Sequence, residues 1–451
     1  MTATADLLAF ASATHTLPGS VRADTIRLLA DTLAVGAAGA TAPGADAILD
    51  TARRFGSGTD ARLLGSEAKE TGCLPAASAA FVNGYRIHCL EWDAVHEPAV
   101  VHAMSVVTAA LAAAIDRRGG CDAETALIAL AVGVDIACGL GIAADSPLSF
   151  FRPATAGLMG AAAAVARIEG APMSHALGLA YSSCAGTMQA HVEGSITLPF
   201  QIANAARAAI VAVDLANAGF TGPLDMFEGP FGYFKLFDTG DLSRYTATLG
   251  QVWRIGEIST KPFPSGRASH AVLGALQNWV STRSAKSDER TLSPPDLAER
   301  VETHPVRIEA HVPPLVHRLV GRPFAPDMTP AYARLCLPLL VALMLTDGAI
   351  DPRRFTAETF ADPAIRALAE KVTVTFDGNP DPIALSPQRL VITMTDGRVV
   401  EHAIPDTLGS PAVPLSPEQA EAKRSLARTL AGDITDPRLF DAPLAYFTEP
   451  R

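Results

Sequence analysis

The spacing of apolar residues along this chain changes once, between residues 280 and 294. From Ala5 to about Val280, apolar side chains recur with the period of helices that bury one face, with Gly, Pro or Asp at the breaks. The pattern predicts helices from Val21 to Ala38, Ala76 to Leu90, Ser105 to Arg117 and Thr125 to Gly139. This part of the chain is therefore predicted to be a helical domain.

After Pro294, apolar and polar residues alternate as they do in β-strands. Strands are predicted at 306–312, 372–376, 390–394 and 398–404, and an apolar helix from Pro330 to Leu345. Asp396-Gly397 lies between two strand-like runs and is a typical hairpin turn. We expect this region to form a smaller α+β domain.

The last predicted helix, Glu418 to Ala431, follows a capping box that opens at Ser416 and is expected to return to the first domain. The predicted fold class is mainly α. A large all-helical domain is expected at residues 1–270 and 405–451, and a smaller α+β lid domain at 271–404. With 451 residues, of which 49% are hydrophobic, the chain can bury a core in each domain.

Charge and cysteine content exclude several classes of function. The formal net charge of -11 argues against a nucleic-acid partner, which needs a concentrated basic surface. The six cysteines are scattered without a C-x-x-C pair, so neither a zinc nor an iron–sulfur site is indicated. Reduced thiols in the cytoplasm are the simplest expectation.

Targeting and membrane signals are also weak. The first residues lack a basic region ahead of an apolar stretch, so they do not resemble a secretion signal. The most apolar segment, Ala126 to Ala144, contains Asp135 and three glycines. It is predicted to be a buried helix rather than a membrane span, and no membrane partner is expected.

Ionisable residues are concentrated between residues 83 and 102, in a neighbourhood that is otherwise apolar. The segment includes His88, Glu91, Asp93, His96 and His102. If the helix that starts at Ala76 continues as far as Pro98, His88, Glu91 and Val95 share one face. Such a cluster is typical of a site with shifted pKa values. Two alternatives remain open: the groups cap helix ends and pair with one another, or the five named residues bind a metal ion.

Two further segments carry candidate cations. Two prolines follow Lys261 and fix the backbone there, and Arg267 lies in the first turn of a helix predicted from Ala268 to Trp279. A rigidly held lysine acts as a base when desolvated, or as a carboxylate clamp when charged. Arg152 precedes an Ala-rich helix predicted from Gly160 to Ile168, and its guanidinium suits bidentate recognition of a carboxylate.

Asn83-Gly, His88, Glu91, Asp93 and the later His102 resemble the N-G…H-x-x-D-x-D…H signature of the MmgE/PrpD family. Other stretches agree in the same order along the chain: Ala61 to Gly65, Asn204 to Ala206, Leu215 to Pro223, Phe227 to Gly229 and Lys261-Pro-Phe-Pro. The resemblance implies a helical domain with both termini, a lid domain and a homodimer. It also implies a metal-free, cofactor-free site at the domain interface for a small polycarboxylate.

The chain also departs from the family pattern. Where the cis-aconitate decarboxylases of the family carry aspartate, threonine, histidine and two lysines, this chain has Glu91, Val95, His102, Leu198 and Lys261. Gln201 and Arg152 each stand where the family usually has histidine, and Ala94 replaces a second aspartate. The loss of one lysine and the gain of Arg152 predict a substrate of altered shape, and they argue against decarboxylation of cis-aconitate itself.

The resemblance also assigns roles to these residues. His102 and Lys261 are the expected catalytic acid/base pair, with Glu91 tuning them and Lys261 alternatively clamping a carboxylate. Substrate-binding roles are expected for Asp93, His88, Arg152, Gln201 and Arg267. The predicted function is a cofactor-independent lyase, of dehydratase or decarboxylase type, acting on a di- or tricarboxylate. The alternatives are an epimerase or isomerase of a dicarboxylate such as iminodisuccinate, and a non-catalytic helical scaffold.

Overall fold

The structure is a computed structural model that describes residues 2–65, 72–146, 148–288, 304–433 and 436–450, with side chains omitted from 283 to 288. The chain forms two compact units. Unit 1 comprises Met1–Val192, Ile196–Thr260 and Ser416–Arg451, and unit 2 comprises Glu193–Ser195 and Lys261–Leu415. The fold is mainly α with a smaller α+β part, as the sequence predicted.

Unit 1 consists almost entirely of helices. In chain order they are α1 (Ala3–Ser12), α2 (Gly19–Ala38), α3 (Ala45–Arg54), α4 (Ala76–His88), α5 (Ala103–Arg118), α6 (Ala123–Ala143), α7 (Arg152–Glu169), α8 (Met173–Tyr181), α9 (Gln189–Glu193), α10 (Thr197–Asn217), α11 (Tyr233–Leu236) and α12 (Ser243–Thr246), then α19 (Pro417–Ala431), α20 (Arg438–Asp441) and α21 (Pro443–Thr448). The two-residue strands β1 (Ala61–Arg62) and β2 (Cys73–Leu74) pair antiparallel.

Small residues allow the central helices of unit 1 to approach closely. Between α6 and α7, a Cβ atom added to Gly160 would lie only 2.1 Å from the carbonyl oxygen of Gly133. Such close backbone contact explains how an alanine-rich chain closes its core with few aromatic side chains. Most residues of α5, α6 and α7 are consequently buried.

Within the described part of the chain, two helices, α6 and α10, are long and apolar enough to cross a membrane by length and composition alone. In α6, 89% of the most apolar window is buried inside the protein, as expected for a core helix. In α10 the buried share is 56%. Core helices of globular proteins pass the same test, so this finding is weak evidence for a membrane span.

Unit 2 packs helices against a four-stranded sheet. The helices are α13 (His270–Asp288), α14 (Pro314–Val320), α15 (Pro330–Ala333), α16 (Leu337–Asp347), α17 (Ala357–Ala361) and α18 (Pro363–Ala369), and the strands are β3 (Pro305–Val312), β4 (Val372–Phe376), β5 (Gln388–Met394) and β6 (Val399–Ile404). The strand order is β4-β3-β5-β6, with β3 and β4 parallel and the other pairs antiparallel. The predicted hairpin joins β5 to β6. Alternate residues such as Ile308, Ala310, Leu390 and Ile392 are fully buried in the core.

The differences from the prediction outside the site include a divided helix and the division between the units. The helix predicted from Pro330 to Leu345 is divided into α15 and α16, with Pro338 in the first turn of α16, where proline is favoured. The units divide at residues 260 and 415 rather than at the predicted 270 and 404. The segment after Lys261 joins unit 2 because Phe263 and Ala268 lie in its core.

Candidate active site

The chain leaves α4 at His88 and turns back on itself. Glu91 has a left-handed backbone with φ of 53°, a conformation that few residues other than glycine adopt. The prediction of one continuous helix with His88, Glu91 and Val95 on a single face is therefore wrong. The turn instead directs the side chain of Asp93 toward His88, so the two residues meet through a loop rather than through helical spacing.

Asp93 is the centre of the ionisable cluster and is completely buried. Nδ1 of His88 lies 2.9 Å and 3.0 Å from the two Asp93 carboxylate oxygens, and Nδ1 of His102 lies 2.9 Å from Oδ2. The hydroxyl of Ser105 donates a short hydrogen bond to the same oxygen. One carboxylate thus accepts from two imidazoles and one hydroxyl.

These contacts determine the charge state of Asp93. Burial alone would raise the pKa of Asp93. The charges and hydrogen bonds of His102 and His88 outweigh this effect, and the pKa of the carboxyl falls well below its usual range. An ionised Asp93 only accepts hydrogen bonds, so each histidine donates Nδ1–H to it. The basic nitrogen of a neutral His102 is then Nε2.

The two histidines differ in exposure. The side chain of His102 is 13% exposed, whereas that of His88 is 1% exposed. Their rings meet edge to face with centroids 4.7 Å apart, and His88 also contacts the ring of Phe151. His102 is the N-cap residue of α5, so its imidazole stands at the end of the helix. His102 is therefore the histidine better placed to reach a substrate, and His88 supports Asp93 from the buried side.

Glu91 and His96 have different positions in the cluster. Oε1 of Glu91 lies 3.6 Å from Nε2 of His88, close enough for electrostatic interaction. His96 points elsewhere: its Nδ1 accepts from the amide of Ala99 at 3.1 Å, and its Nε2 lies 2.9 Å from Glu257. This hydrogen bond from His96 is the main reason that the pKa of Glu257 is lowered. His96 therefore has a structural role in the turn before His102.

Arg152, predicted to bind substrate, is engaged inside unit 1. Its side chain is 6% exposed and forms an ion pair with Asp238 at 3.2 Å. Its Nη1 donates to the carbonyl of Ala99 at 3.1 Å, and its Nη2 donates to the carbonyl of Ser146 at 3.0 Å. The prediction placed Arg152 near a helix N-terminus, and it is in fact the first residue of α7. Its guanidinium, however, is directed at protein oxygens.

Gln201 also contacts the protein itself. Its side-chain oxygen accepts from the amide of Thr187 at 2.6 Å. In unit 2, Arg267 donates to the carbonyls of Leu408 at 2.6 Å and Thr407 at 3.3 Å. These bonds give Gln201 and Arg267 a part in holding loops, while their predicted role toward a substrate stays a prediction.

Lys261 is the first residue of the long segment of unit 2 and is fully buried. A lysine without exposed surface is uncommon, because its ammonium group is expensive to desolvate. The sequence expectation that Lys261 is no ordinary surface lysine agrees with this burial. Its role as acid/base or carboxylate clamp stays a prediction.

Three supporting residues were missed by sequence reasoning. Ser105 lies in the first turn of α5, one helical turn after His102, a spacing that could have indicated it. Asp238 gave no local signal because its partner Arg152 is distant in sequence. Lys423 of α19 donates to the carbonyl of Trp92 at 3.1 Å and pairs with Asp31 at 2.6 Å, so this helix fixes the backbone next to Asp93.

His88, Asp93 and His102 also have the chemistry of metal ligands. One atom each from His88, Asp93 and His102 lies within 4.8 Å of the others. Imidazole nitrogen and carboxylate oxygen would suit a transition metal. The distances of 2.9 Å from both Nδ1 atoms to Asp93 are equally those of hydrogen bonds, which the hydroxyl of Ser105 joins. The expectation of a metal-free site stays a prediction.

Known proteins and protein families match most of the chain. Residues 5–245 match the MmgE/PrpD N-terminal domain, and residues 263–436 match the MmgE/PrpD C-terminal domain. Similar proteins include cis-aconitate decarboxylase of Homo sapiens, 27% identical over 92% of this chain and 86% of the relative. The cis-aconitate decarboxylase of Mus musculus is also 27% identical, over 91% of this chain and 82% of the relative. That of Aspergillus terreus is 25% identical over 94% and 88%. The chain therefore belongs to the MmgE/PrpD family and is an enzyme of that type.

Proposed function

We propose that this enzyme is a cofactor-independent lyase that acts on a small di- or tricarboxylate by moving a proton at a carbon next to a carboxylate. The observation that carries the proposal is the hydrogen bond of 2.9 Å between Asp93 and Nδ1 of His102. This bond orients the imidazole and makes Nε2 its basic nitrogen. The relatives named cis-aconitate decarboxylases support the lyase class and the carboxylate substrate.

The hydrogen-bonded pair of Asp93 and His102, here called the dyad, gives His102 a role in both kinds of lyase reaction. In a dehydration, Nε2 accepts a proton from carbon while a second acid, for which Lys261 is the candidate, protonates the hydroxyl on the neighbouring carbon so that it leaves as water. In a decarboxylation, carbon dioxide leaves first and a protonated Nε2 returns a proton to the resulting carbanion. In either case the buried Asp93 carboxylate stabilises the imidazolium that forms or is consumed. His88 and Ser105 keep that carboxylate in place.

The substrate is proposed to differ from cis-aconitate. By the family resemblance, Val95 and Leu198 stand at two positions where cis-aconitate decarboxylases are expected to carry polar groups, and both side chains are buried, 4% and 6% exposed. An apolar side chain cannot form a hydrogen bond or ion pair with a carboxylate. We therefore propose a carboxylate substrate with an apolar or uncharged group where cis-aconitate is anionic.

Lys261 is proposed as the second acid/base group or as the cation that holds a substrate carboxylate. Its complete burial supports both roles, because each needs a lysine that is held in place rather than one that moves freely in solvent. Replacement by alanine or by arginine separates the two roles. Arginine preserves a clamp but cannot act as a base, because its guanidinium stays protonated.

The test is incubation of the purified enzyme with a panel of di- and tricarboxylates in heavy water, followed by NMR. Loss of water or carbon dioxide from a substrate, abolished by His102→Ala, is the expected result. Deuterium incorporation without net conversion would show an epimerase or isomerase, and neither exchange nor conversion would favour a scaffold. Elemental analysis of the same sample tests the expected absence of a metal ion.

Full turnover in the His102→Ala variant would contradict the assignment of His102. A matched control is His175→Ala, because His175 lies in α8, outside the cluster. We expect this control to retain the activity of the unmodified enzyme and His102→Ala to lose about three orders of magnitude or more.

A further inference from the structure

The backbone just before His102 forms a tight turn that is held from two sides. His96 and Val101 exchange backbone hydrogen bonds of 2.9 Å and 3.2 Å, and Val100 between them has a left-handed φ of 52°. A valine in this conformation is strained, and the conformation persists only where surrounding contacts fix it. Any change in this turn shifts His102, which follows it directly.

Ala99, at the tip of this turn, is where the two sets of contacts meet. Its amide donates to Nδ1 of His96 at 3.1 Å, and its carbonyl accepts from Nη1 of Arg152 at 3.1 Å. Ala99 is completely buried, so water does not supply these bonds. The peptide groups on both sides of Ala99 are therefore fixed by side chains, one from His96 in the same turn and one from Arg152 at the start of α7.

Arg152 is itself held by a buried network. Asp238 accepts from Nε of Arg152 at 3.2 Å and 3.3 Å, and also from the hydroxyls of Ser146 at 2.5 Å and Tyr233 at 3.3 Å. Tyr233 in turn contacts Thr155 at 3.0 Å. A carboxylate with these donors holds the planar guanidinium in one orientation. Arg152 is thereby held in one rotamer, in which it donates to the carbonyl of Ala99.

On the opposite side of the turn, His96 is anchored in a comparable way. Its Nε2 lies 2.9 Å from Glu257, which also accepts from Arg254 at 3.0 Å and 3.1 Å. The backbone amide of Arg254 donates to Asp135 of α6 at 2.8 Å. The turn is thus connected to the central helix α6 through His96 and to the start of α7 through Arg152.

We propose that Arg152 and Asp238 are positioning residues that set the direction of the His102 imidazole through the carbonyl of Ala99. The inference rests on the proposed role of His102 in proton transfer. It replaces a carboxylate clamp as the role of Arg152, because Nε, Nη1 and Nη2 all donate to protein oxygens. Positioning of a catalytic group affects the chemical step more than the binding of substrate.

The test compares Arg152→Lys and Asp238→Asn with Arg244→Lys as a matched control. Lysine keeps the positive charge but lacks the planar guanidinium. It therefore cannot donate to the carbonyl of Ala99 and to the Asp238 carboxylate at the same time in the geometry of Arg152. Arg244 also pairs with an aspartate, Asp145, at 2.6 Å and donates to a backbone carbonyl, but it lies at the surface. The control therefore reports on loss of an arginine pair that does not contact the turn.

For both test variants, kcat is expected to fall about tenfold or more while KM changes by less than about threefold. The control is expected to keep both constants. A KM increase of about tenfold with kcat preserved would overturn the proposal, since this is the result of removing a substrate clamp. Circular dichroism and thermal unfolding show whether each variant folds. If Arg152→Lys does not fold, the kinetic constants of Asp238→Asn are compared with those of the control instead.

A second measurement is independent of turnover. Protein labelled with ¹⁵N-histidine gives ring nitrogen signals whose positions report the tautomer and hydrogen bonding of each histidine, and His102→Gln identifies the signals of His102. Arg152→Lys is expected to move the His102 signals and leave those of His175 in place. Unmoved His102 signals would overturn the positioning role. If the proposed reaction fails and these signals still move, the positioning role stands and only the function is wrong.

Discussion

At the scale of single residues, Asp93 offers the sharpest test of the site. In Asp93→Asn, an amide group that donates replaces one of the oxygens that accept from His88, His102 and Ser105. At least one histidine must then lose its Nδ1 partner or change tautomer. We expect kcat to fall by about two to four orders of magnitude, in line with other enzymes whose histidine loses its orienting carboxylate.

Ser105→Ala is the graded counterpart of this change. It removes one of the three donors and leaves both histidine contacts to Asp93, so a loss of about tenfold or less is expected. The measurement is the steady-state rate with the substrate found in the exchange experiment, with thermal unfolding as a check on folding. Equal rates in Asp93→Asn and the unmodified enzyme would show that the dyad has no part in catalysis.

At the scale of helices, α6 carries a buried carboxyl whose ionisation is costly. Burial raises the pKa of Asp135 from 3.8 to about 6, against hydrogen bonds from the amide of Arg254 and the hydroxyl of Tyr245. Because the folded pKa is the higher one, the protonated form contributes stability that is full below pH 3.8 and is lost as the pH rises through 6. The shift corresponds to about 3 kcal/mol.

Asp135→Asn removes this titration. The thermal midpoint of the unmodified protein is expected to fall, relative to that of the variant, between about pH 4 and pH 7. The difference between the two proteins is the quantity to measure, because it cancels most other titrating groups. Parallel curves over this range would contradict the raised pKa.

Helix α19, near the end of the chain, carries a second buried charge. Lys423, with 4% of its side chain exposed, pairs with Asp31 of α2 and also faces the ring of Trp92. Lys423→Met leaves Asp31 without its cation, and a loss of about 3–5 kcal/mol in the free energy of unfolding is expected. Adding Asp31→Leu removes the remaining charge and should recover much of that loss, as urea unfolding would show. An unchanged midpoint in the single variant would show that the pair contributes little.

Most helices of this protein could be predicted from sequence, because their apolar period is long and their ends carry recognisable signals. Helix α2 runs to Ala38 as predicted, and α19 begins at the predicted capping box of Ser416 and Gln419. The turn from Cys89 to Val101 could not be predicted. Its left-handed residues are Glu91 and Val100, which do not favour that conformation, and distant partners such as Arg152 hold it in place.

At the scale of the whole molecule, the homodimer that the sequence resemblance implies stays a prediction. Among the described residues, fourteen large hydrophobic side chains are exposed, and eight of them lie between residues 192 and 236. These are Val192, Ile196, Phe200, Val211, Phe220, Leu224, Phe231 and Leu236. Exposed apolar residues are typical of an interaction surface where they form a contiguous patch. We expect this stretch to contribute to contacts between two copies of the protein.

Sedimentation or light scattering should therefore give twice the chain mass of 47.0 kDa. Phe220→Glu and Phe231→Glu place a charge on side chains that are 60% and 76% exposed, and burial of either in an interface would make that charge costly. We expect dissociation to 47.0 kDa in at least one of them. Phe376→Glu is the control, because Phe376 is 52% exposed on strand β4 of unit 2. A monomer before any substitution, or a dimer lost only in the control, would contradict this interface.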